Sequence, residues 1–163
     1  MTRLFGWGEK STRVEDYVPD VRFERSSVIA MLSTDGIVAP MTYTGTLNGD
    51  LFRPYVQQVL APALQAGDVV IMDNCSVHKV KGIVDPIYEK GAEVQFLPAY
   101  SPDLNPIEMA WSKIKSILRA LKPRNHQDMQ VAFVTAFDAI SKTDVANWFA
   151  HDGYFLSPCH LNV

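Results

Sequence analysis

The sequence predicts one α/β domain in which a small mixed sheet is followed by helices. The turn signal Asp35-Gly36 separates two apolar runs, which predicts a β-hairpin. Further along, apolar runs and a helical pattern follow in the order strand, helix, strand, which is typical of a parallel pair. From residue 106 onward, apolar residues recur only at helical spacing. The length of 163 residues and the hydrophobic content of 47% suit a single domain over residues 1–163 and exclude wholesale disorder.

The predicted hairpin strands cover residues 27–33 and 37–43. Pro40 lacks a backbone N–H, so the second strand should lie at an edge or contain a bulge. Asn48 is suited to cap a helix over about residues 49–60, because its side chain can accept a hydrogen bond from a free backbone N–H.

A continuous apolar run over residues 68–73 predicts a central strand that is covered on both faces. A helix over about residues 79–90 should follow and end at Gly91, with the next strand over residues 93–97. These two strands should pair in parallel, because a helix connects them.

A loop with three prolines then covers residues 98–106. The helix predicted from about residue 106 to residue 121 has a single apolar stripe, formed by Ile107, Trp111, Ile114, Leu118 and Leu121. Two more helices are predicted, over about residues 126–140 and, with Thr143 as its cap, residues 143–149.

Charge and composition limit the possible functions. The net charge of -3 argues against a free-standing nucleic-acid-binding protein, which is usually strongly basic. Five lysines and arginines, and no acidic residue, nevertheless lie between residues 109 and 127. This stretch is either a phosphate-contacting surface or a solvated helix face, and charge alone does not choose between them. With two cysteines and no apolar run as long as a membrane span or signal peptide, we expect a soluble intracellular protein.

Asp73 ends the predicted central strand. Ligands of open α/β sheets bind beyond the carboxyl ends of the strands, so this position suits a catalytic carboxylate. The plainer interpretation is an Asp-Asn turn that includes Asn74. His78 could orient substrate or phosphate nearby, but a partly exposed structural histidine is the simpler interpretation.

Glu108 belongs to the run Asn105-Pro106-Ile107-Glu108, which also has the pattern of a helix start. In that interpretation Asn105 is the N-cap, Pro106 the first helical residue and Glu108 the glutamate of a capping box. Against it, the preceding loop leaves a strand adjacent to the one that ends in Asp73, so both carboxylates should face one edge of the sheet.

Paired carboxylates suit divalent metal ions. Mg²⁺ typically takes one or two protein carboxylates and leaves positions for water and phosphate, and most two-metal sites need a third acid. Lys115 and Arg119 lie further along the helical face of Glu108, so the arrangement suits a metal-assisted reaction on a polyphosphate strand.

The proline-rich run from Leu97 to Glu108 closely resembles the signature around the last acid of DDE transposases, in the bacterial insertion-sequence branch of the mariner-like superfamily. The match continues at Trp111, Lys113 and Lys115. Asp73-Asn74 with His78 resembles the block around the second acid, and the 34 residues between Asp73 and Glu108 match the spacing of that branch. Weaker matches cover nearly the whole chain, and the similarity is strongest over residues 27–121.

The resemblance implies a ribonuclease H-like fold, Mg²⁺ or Mn²⁺ as cofactor, and the cutting and joining of DNA at transposon ends and target. It implies a bacterial protein of the cytoplasm, associated with the nucleoid and not with a membrane. The implied site residues are the catalytic and metal-binding Asp73 and Glu108, the supporting Asn74, His78 and Asn105, and the DNA-binding Lys113, Lys115 and Arg119.

By the same resemblance, the first metal-binding acid should lie on a strand upstream of Gly6-Trp7, together with a helix-turn-helix region for the element ends. We therefore expect the sheet to lack its first strand and the chain alone to be inactive. Asp16 and Asp20 are poor substitutes, because they lie in a polar stretch beside Pro19. The missing part could come from an upstream-encoded segment, and the chain could form a homodimer. The alternative is a non-catalytic remnant that binds DNA or pairs with full-length transposase.

Overall fold

A computed structural model describes residues 7–15 and 26–154, so Asp16 and Asp20 lie outside the described residues. The elements follow in the order β1 (Ser26–Ser33), β2 (Gly36–Thr44), α1 (Gly49–Tyr55), β3 (Val69–Met72), α2 (Asp85–Tyr88), β4 (Glu93–Phe96), α3 (Ile107–Leu121), α4 (His126–Asp138) and α5 (Lys142–His151). In this part of the chain, no helix has both the length and the apolar character that crossing a membrane requires.

The hairpin predicted around Asp35-Gly36 is confirmed, because β1 and β2 pair in an antiparallel manner. The bulge predicted from Pro40 is confirmed as well: the register shifts so that Ala39 and Pro40 together face Ala30. Ala39 has a φ of 53°, and its carbonyl oxygen accepts a hydrogen bond from the Tyr55 hydroxyl at 3.0 Å. The bulge therefore connects the hairpin to α1.

The predicted start of α1 is confirmed, because the Asn48 side chain accepts a hydrogen bond from the backbone N–H of Leu51 at 2.9 Å. The helix continues to Leu60 as a π-helical turn over Val56–Leu60. Pro54 lies just before this change of hydrogen-bond pattern and has no N–H to donate.

The helix predicted over residues 79–90 is wrong. The structure has a 3₁₀ turn over Ser76–Lys79 and a single helical turn, α2. Gly82 has a φ of 80°, a left-handed conformation that interrupts a right-handed helix. Pro86 can occupy only the first turn of a helix, which is where the structure places it.

The parallel pairing of β3 and β4 is confirmed, with Met72 opposite Phe96. The backbone N–H of Leu97 extends this pairing by donating to the carbonyl of Met72 at 2.8 Å. The prediction of one mixed sheet is corrected: among the described residues, β1–β2 and β3–β4 form two separate two-stranded sheets.

Two buried apolar clusters lie on opposite faces of β1. The first includes Phe52 of α1, Met72 of β3 and Ile87 of α2, and Ile29 and Met31 of β1 pack against it. The second is formed by side chains of α3, α4 and α5, and the alternate β1 residues Val28 and Leu32 pack against it. Because successive side chains of a strand point to opposite faces, β1 lies between two apolar layers.

The last three helices are confirmed: α4 begins at the predicted residue, His126, whereas the caps of α3 and α5 differ from those predicted. No side chain caps α3, whose N-cap position is Pro106, so the predicted capping role of Asn105 is wrong. The N-cap of α5 is Ser141 and not Thr143, because Ser141 and Asp144 form the reciprocal hydrogen bonds of a capping box. In the predicted stripe of α3, Ile114 and Leu118 are buried, whereas Leu121 at the helix end is exposed.

Candidate active site

A cleft of about 310 Å³ separates the two sheets. Its walls include five consecutive residues of β1, Val28–Leu32, and five consecutive residues of β3 and its end, Val69–Asp73. Side chains of α1 and the first turn of α3 complete the lining.

Consecutive lining residues show that the cleft runs along strand edges. A cleft against the face of a strand would be lined by alternate residues, because side chains alternate between faces. Among the described residues, β1 pairs only with β2 and β3 pairs only with β4. The cleft therefore lies between two strand edges that have no sheet partner within residues 7–15 and 26–154.

Asp73 lies at the carboxyl end of β3, where the sequence placed it, and it lines the cleft. Its Oδ1 accepts a hydrogen bond from the backbone N–H of Cys75 at 3.1 Å. The same oxygen lies 2.7 Å from Nδ1 of His78. No hydrogen bond to the second oxygen, Oδ2, is found among the described residues, and the side chain is 57% exposed. One carboxylate oxygen is thus held while the other faces solvent.

His78 holds this carboxylate from a fixed position. Its ring packs against the Phe52 ring at a centroid distance of 4.8 Å, and its side chain is only 19% exposed. Nδ1 faces two acceptors, since the backbone carbonyl of Asp73 lies 3.3 Å away in addition to the carboxylate. Both are acceptors only, so we assign the proton to Nδ1. His78 therefore orients Asp73 and leaves Nε2 available to the cleft that its side chain lines.

Glu108 lies in the first turn of α3, also lines the cleft and is exposed. Its side chain makes no hydrogen bond or ion pair with a described residue, so the capping box that would have explained it without a function is not formed. Asn105 borders the same cleft beside it.

The structure thus brings together four of the predicted site residues around one cleft: Asp73, His78, Asn105 and Glu108. Asn74 does not line it, and its side-chain Oδ1 is buried without a hydrogen-bond partner in the described part of the chain. Carboxylate oxygens are suitable ligands for Mg²⁺ or Mn²⁺. However, within residues 7–15 and 26–154 no three acidic, histidine or cysteine side chains form a group that could hold a metal ion. Asp73 and Glu108 supply two carboxylates, which are groups of the type that such an ion binds.

The three predicted DNA-binding cations differ in their surroundings. Lys113 donates from Nζ to Oδ2 of Asp144 at 2.6 Å, joining α3 to the start of α5. The hydrogen bonds of Lys113 and Ser141 lower the pKa of Asp144 to about 2. Lys115 is exposed, makes no ion pair with a described residue, and lines a second cavity of about 690 Å³ between the hairpin and helices α3 and α4. Arg119 lies one turn further along the same face as Lys115 and is half-buried.

Sequence reasoning missed two supporting residues. Phe52, in the helix predicted over about residues 49–60, packs against the ring of His78. The Tyr154 hydroxyl donates to the carbonyl of Leu104 at 2.7 Å and so holds the loop that leads to Glu108. Both contacts are between residues distant in the chain, and no local pattern signals them.

Helices pack on both faces of β1, and two carboxylates line one cleft. The chain belongs to the DDE superfamily endonucleases, whose family profile matches residues 1–130. No curated protein sequence matches the chain.

Solved structures with a similar fold are complexes of Mos1. The Mos1 strand transfer complex matches with a TM-score of 0.69 and 17% identity, over 96% of this chain and 51% of that chain. A pre-cleavage Mos1 transpososome matches with a TM-score of 0.68 and 14% identity, over 96% and 53% of the two chains. The Mos1 mariner paired end complex with Mn matches with a TM-score of 0.65 and 16% identity, over 93% and 51%. The chain thus spans about half the length of these proteins, and the ribonuclease H-like fold expected from the resemblance is confirmed.

Proposed function

We propose that this chain is the larger part of a transposase catalytic domain, which cleaves DNA at transposon ends and joins it to a target in a metal-dependent reaction. The observation that carries the proposal is the convergence of Asp73 and Glu108 on one cleft, between strand edges that no described residue pairs with. Membership in the DDE endonuclease family supports it, and the similar Mos1 structures include complexes with a transposon end and with Mn.

Asp73 and Glu108 are the proposed ligands of Mg²⁺ or Mn²⁺. Asp73 offers Oδ2, because its Oδ1 is held by Cys75 and His78. Glu108 offers both oxygens, since no described residue engages them. A metal ion bound there would activate the attacking oxygen and stabilise the leaving one. The role of the protein is to hold the two carboxylates at one edge and to bind DNA beside them.

The third acid is proposed to come from an additional strand that fills the cleft. Such a strand could pair with the free edges of β1 and β3 and join the two sheets into one of five strands. Its side chains would face the first apolar cluster on one side and the second on the other, so it should be apolar on both faces. We propose an upstream-encoded segment as its source, and without that segment we expect no cleavage.

DNA contact is proposed for Lys115 and Arg119, on the face of α3 that begins with Glu108. Lys113 is a poorer candidate, because Asp144 already occupies its ammonium group. A homodimer is a further proposal, and sedimentation of the chain with and without the upstream segment tests it.

A second candidate function is a non-catalytic remnant that binds DNA or pairs with full-length transposase. One observation favours it: among the described residues, no third acid joins Asp73 and Glu108. The two candidates differ in a single expectation, namely whether adding the upstream segment creates activity.

The test is cleavage of labelled element-end DNA in Mg²⁺ or Mn²⁺, by the chain alone and fused to the segment encoded upstream of Met1. We expect activity only in the fusion, and its loss in Glu108→Gln. Glu93→Gln is the matched control, because Glu93 is an exposed carboxylate at the opposite end of the β3–β4 pair. An inactive fusion that is nonetheless folded would leave the remnant as the better conclusion, and equal loss in both variants would contradict the role of Glu108.

A further inference from the structure

The loop between β4 and α3 presents an unusual surface. The segment from Gln95 to Pro102 covers the end of β4 and the first part of this loop, and it has no charged residue. Most of its residues are exposed. The Tyr100 side chain is 101% exposed and makes no contact with a described residue, and Phe96 is 38% exposed. A fully exposed aromatic ring in an uncharged loop buries no apolar surface, so the folding of this chain does not explain it.

The backbone conformation of Tyr100 is also unfavourable for the folded chain. Its φ of 60° is left-handed, a conformation that glycine adopts freely and that is unfavourable for a residue with a bulky side chain. A glycine at this position would satisfy the loop better. An aromatic residue at position 100 is thus unfavourable in two respects, because its backbone is left-handed and its apolar ring is exposed to water. Unfavourable conformations of this kind are found at binding sites.

Hydrogen bonds on both sides of Tyr100 hold the ends of its loop to neighbouring elements. The backbone N–H of Leu97 donates to the carbonyl of Met72, the residue before Asp73. Leu104 lies four residues before Glu108, and its carbonyl accepts a hydrogen bond from the Tyr154 hydroxyl. Three residues reach at most about 11 Å, so the Cα of Tyr100 lies within that distance of the Cα of Leu97. The backbone of Tyr100 thus stays within reach of the sheet edge at which β3 and β4 end.

We propose that Tyr100 is a DNA-binding residue that stacks on an unpaired nucleobase beside the cleft. The inference rests on the proposed function, because it places a DNA strand at this edge. An uncharged loop with an aromatic tip is suited to the face of a base, whereas the phosphates of the same strand are suited to the cations of α3. The loop carries prolines at positions 98 and 102, which limit its conformations and hold the ring ready for binding.

The test measures binding of the whole chain to a fluorescein-labelled single-stranded oligothymidylate, by anisotropy, over a series of salt concentrations. Tyr100→Gly should weaken binding by about 5- to 150-fold, the range expected for loss of one stacked base. Its melting temperature should stay equal or rise, because glycine removes the unfavourable φ. The salt dependence should keep its slope, since stacking releases no counterions.

Two variants make the result specific. Tyr100→Phe keeps the ring and should bind within about twofold of the native chain, since stacking needs no hydroxyl. Tyr88→Ala is the matched control, because Tyr88 is 51% exposed in α2 and has no left-handed backbone. Its affinity should not change.

Native affinity in Tyr100→Gly, or an equal loss in Tyr88→Ala, would overturn the inference. So would a change in self-association with unchanged DNA affinity, which would assign the loop to contact between copies of the chain. If Tyr100→Gly binds normally while the fusion still cleaves DNA and Glu108→Gln does not, only the stacking role fails. If the native chain and the fusion bind no DNA, the stacking role and the proposed function fail together.

Discussion

Replacement by alanine should affect stability at Lys113 and DNA binding at Lys115, although these lysines are only two positions apart on α3. Residues at this spacing point about 200° apart around a helix. The Nζ of Lys113 lies 2.6 Å from Oδ2 of Asp144, and the two side chains are 35% and 28% exposed. The contribution of such a partly shielded pair to stability should lie between that of an exposed ion pair and that of a charge-assisted hydrogen bond. We therefore expect Lys113→Ala to lower the free energy of unfolding by about 1–2 kcal/mol. DNA affinity should change little.

Lys115 shows the converse environment, being exposed and without an ion pair to a described residue. Lys115→Ala should change stability by less than about 0.5 kcal/mol. If Lys115 contacts one phosphate, the variant should reduce the slope of log Kobs against log salt by about 0.9 on duplex DNA.

Urea unfolding and salt-dependent DNA binding, measured on both variants, separate the two roles. The reasoning fails if Lys113→Ala reduces the salt slope while stability is unchanged. It also fails if Lys115→Ala leaves both quantities at their native values.

Three further predictions concern stability. The pKa of Asp144 is lowered to about 2 from an ordinary 3.8, so its stabilising effect is fully present above about pH 4 and is lost as the pH falls through 2. The free energies of unfolding in urea of the native chain and Asp144→Asn should therefore differ by about 1–2 kcal/mol at pH 6 and by much less at pH 2, and a constant difference would contradict the assignment. Ile114→Ala should cost about 2–5 kcal/mol in urea unfolding, because Ile114 is 1% exposed, whereas a cost below about 1 kcal/mol would mean that α3 is loosely packed. Asn48→Ala should cost about 0.5–2 kcal/mol through loss of the cap of α1, and an unchanged thermal midpoint would show that the cap contributes nothing.

Features set by neighbouring residues could be predicted from the sequence. Asn48 caps α1 as expected, the bulge lies at Pro40, and Asp73 ends a parallel strand. In each case a local stereochemical preference and the tertiary fold require the same conformation. The two carboxylates at one cleft could be expected for the same reason, because the strand order places both at one edge.

Other features could not be predicted, because the local residue pattern allows more than one structure and the surrounding fold selects between them. Asn105 has the residue type of a cap, but the preceding 3₁₀ turn gives it a ψ of 96°, whereas the true cap Asn48 has a ψ of 174°. Gly82 and Pro86 outweighed an apolar pattern that suggested a longer helix. The pairing of Lys113 with Asp144 joins residues 31 positions apart, so no local pattern signals it, and the resemblance implied a DNA contact for that lysine instead.

The two strand edges along the cleft, which no described residue pairs with, also influence how the chain behaves by itself. An exposed strand edge is a template for pairing with any other extended chain, and natural proteins usually protect edges with charges or prolines. The cleft-facing runs Val28–Leu32 and Val69–Met72 contain no charged residue and no proline. If the proposed additional strand covers these edges, a chain that meets this strand late competes with its own aggregation. On that proposal we expect good yields of soluble protein only when the additional strand is supplied at the same time, so that its effect on solubility accompanies its effect on catalysis.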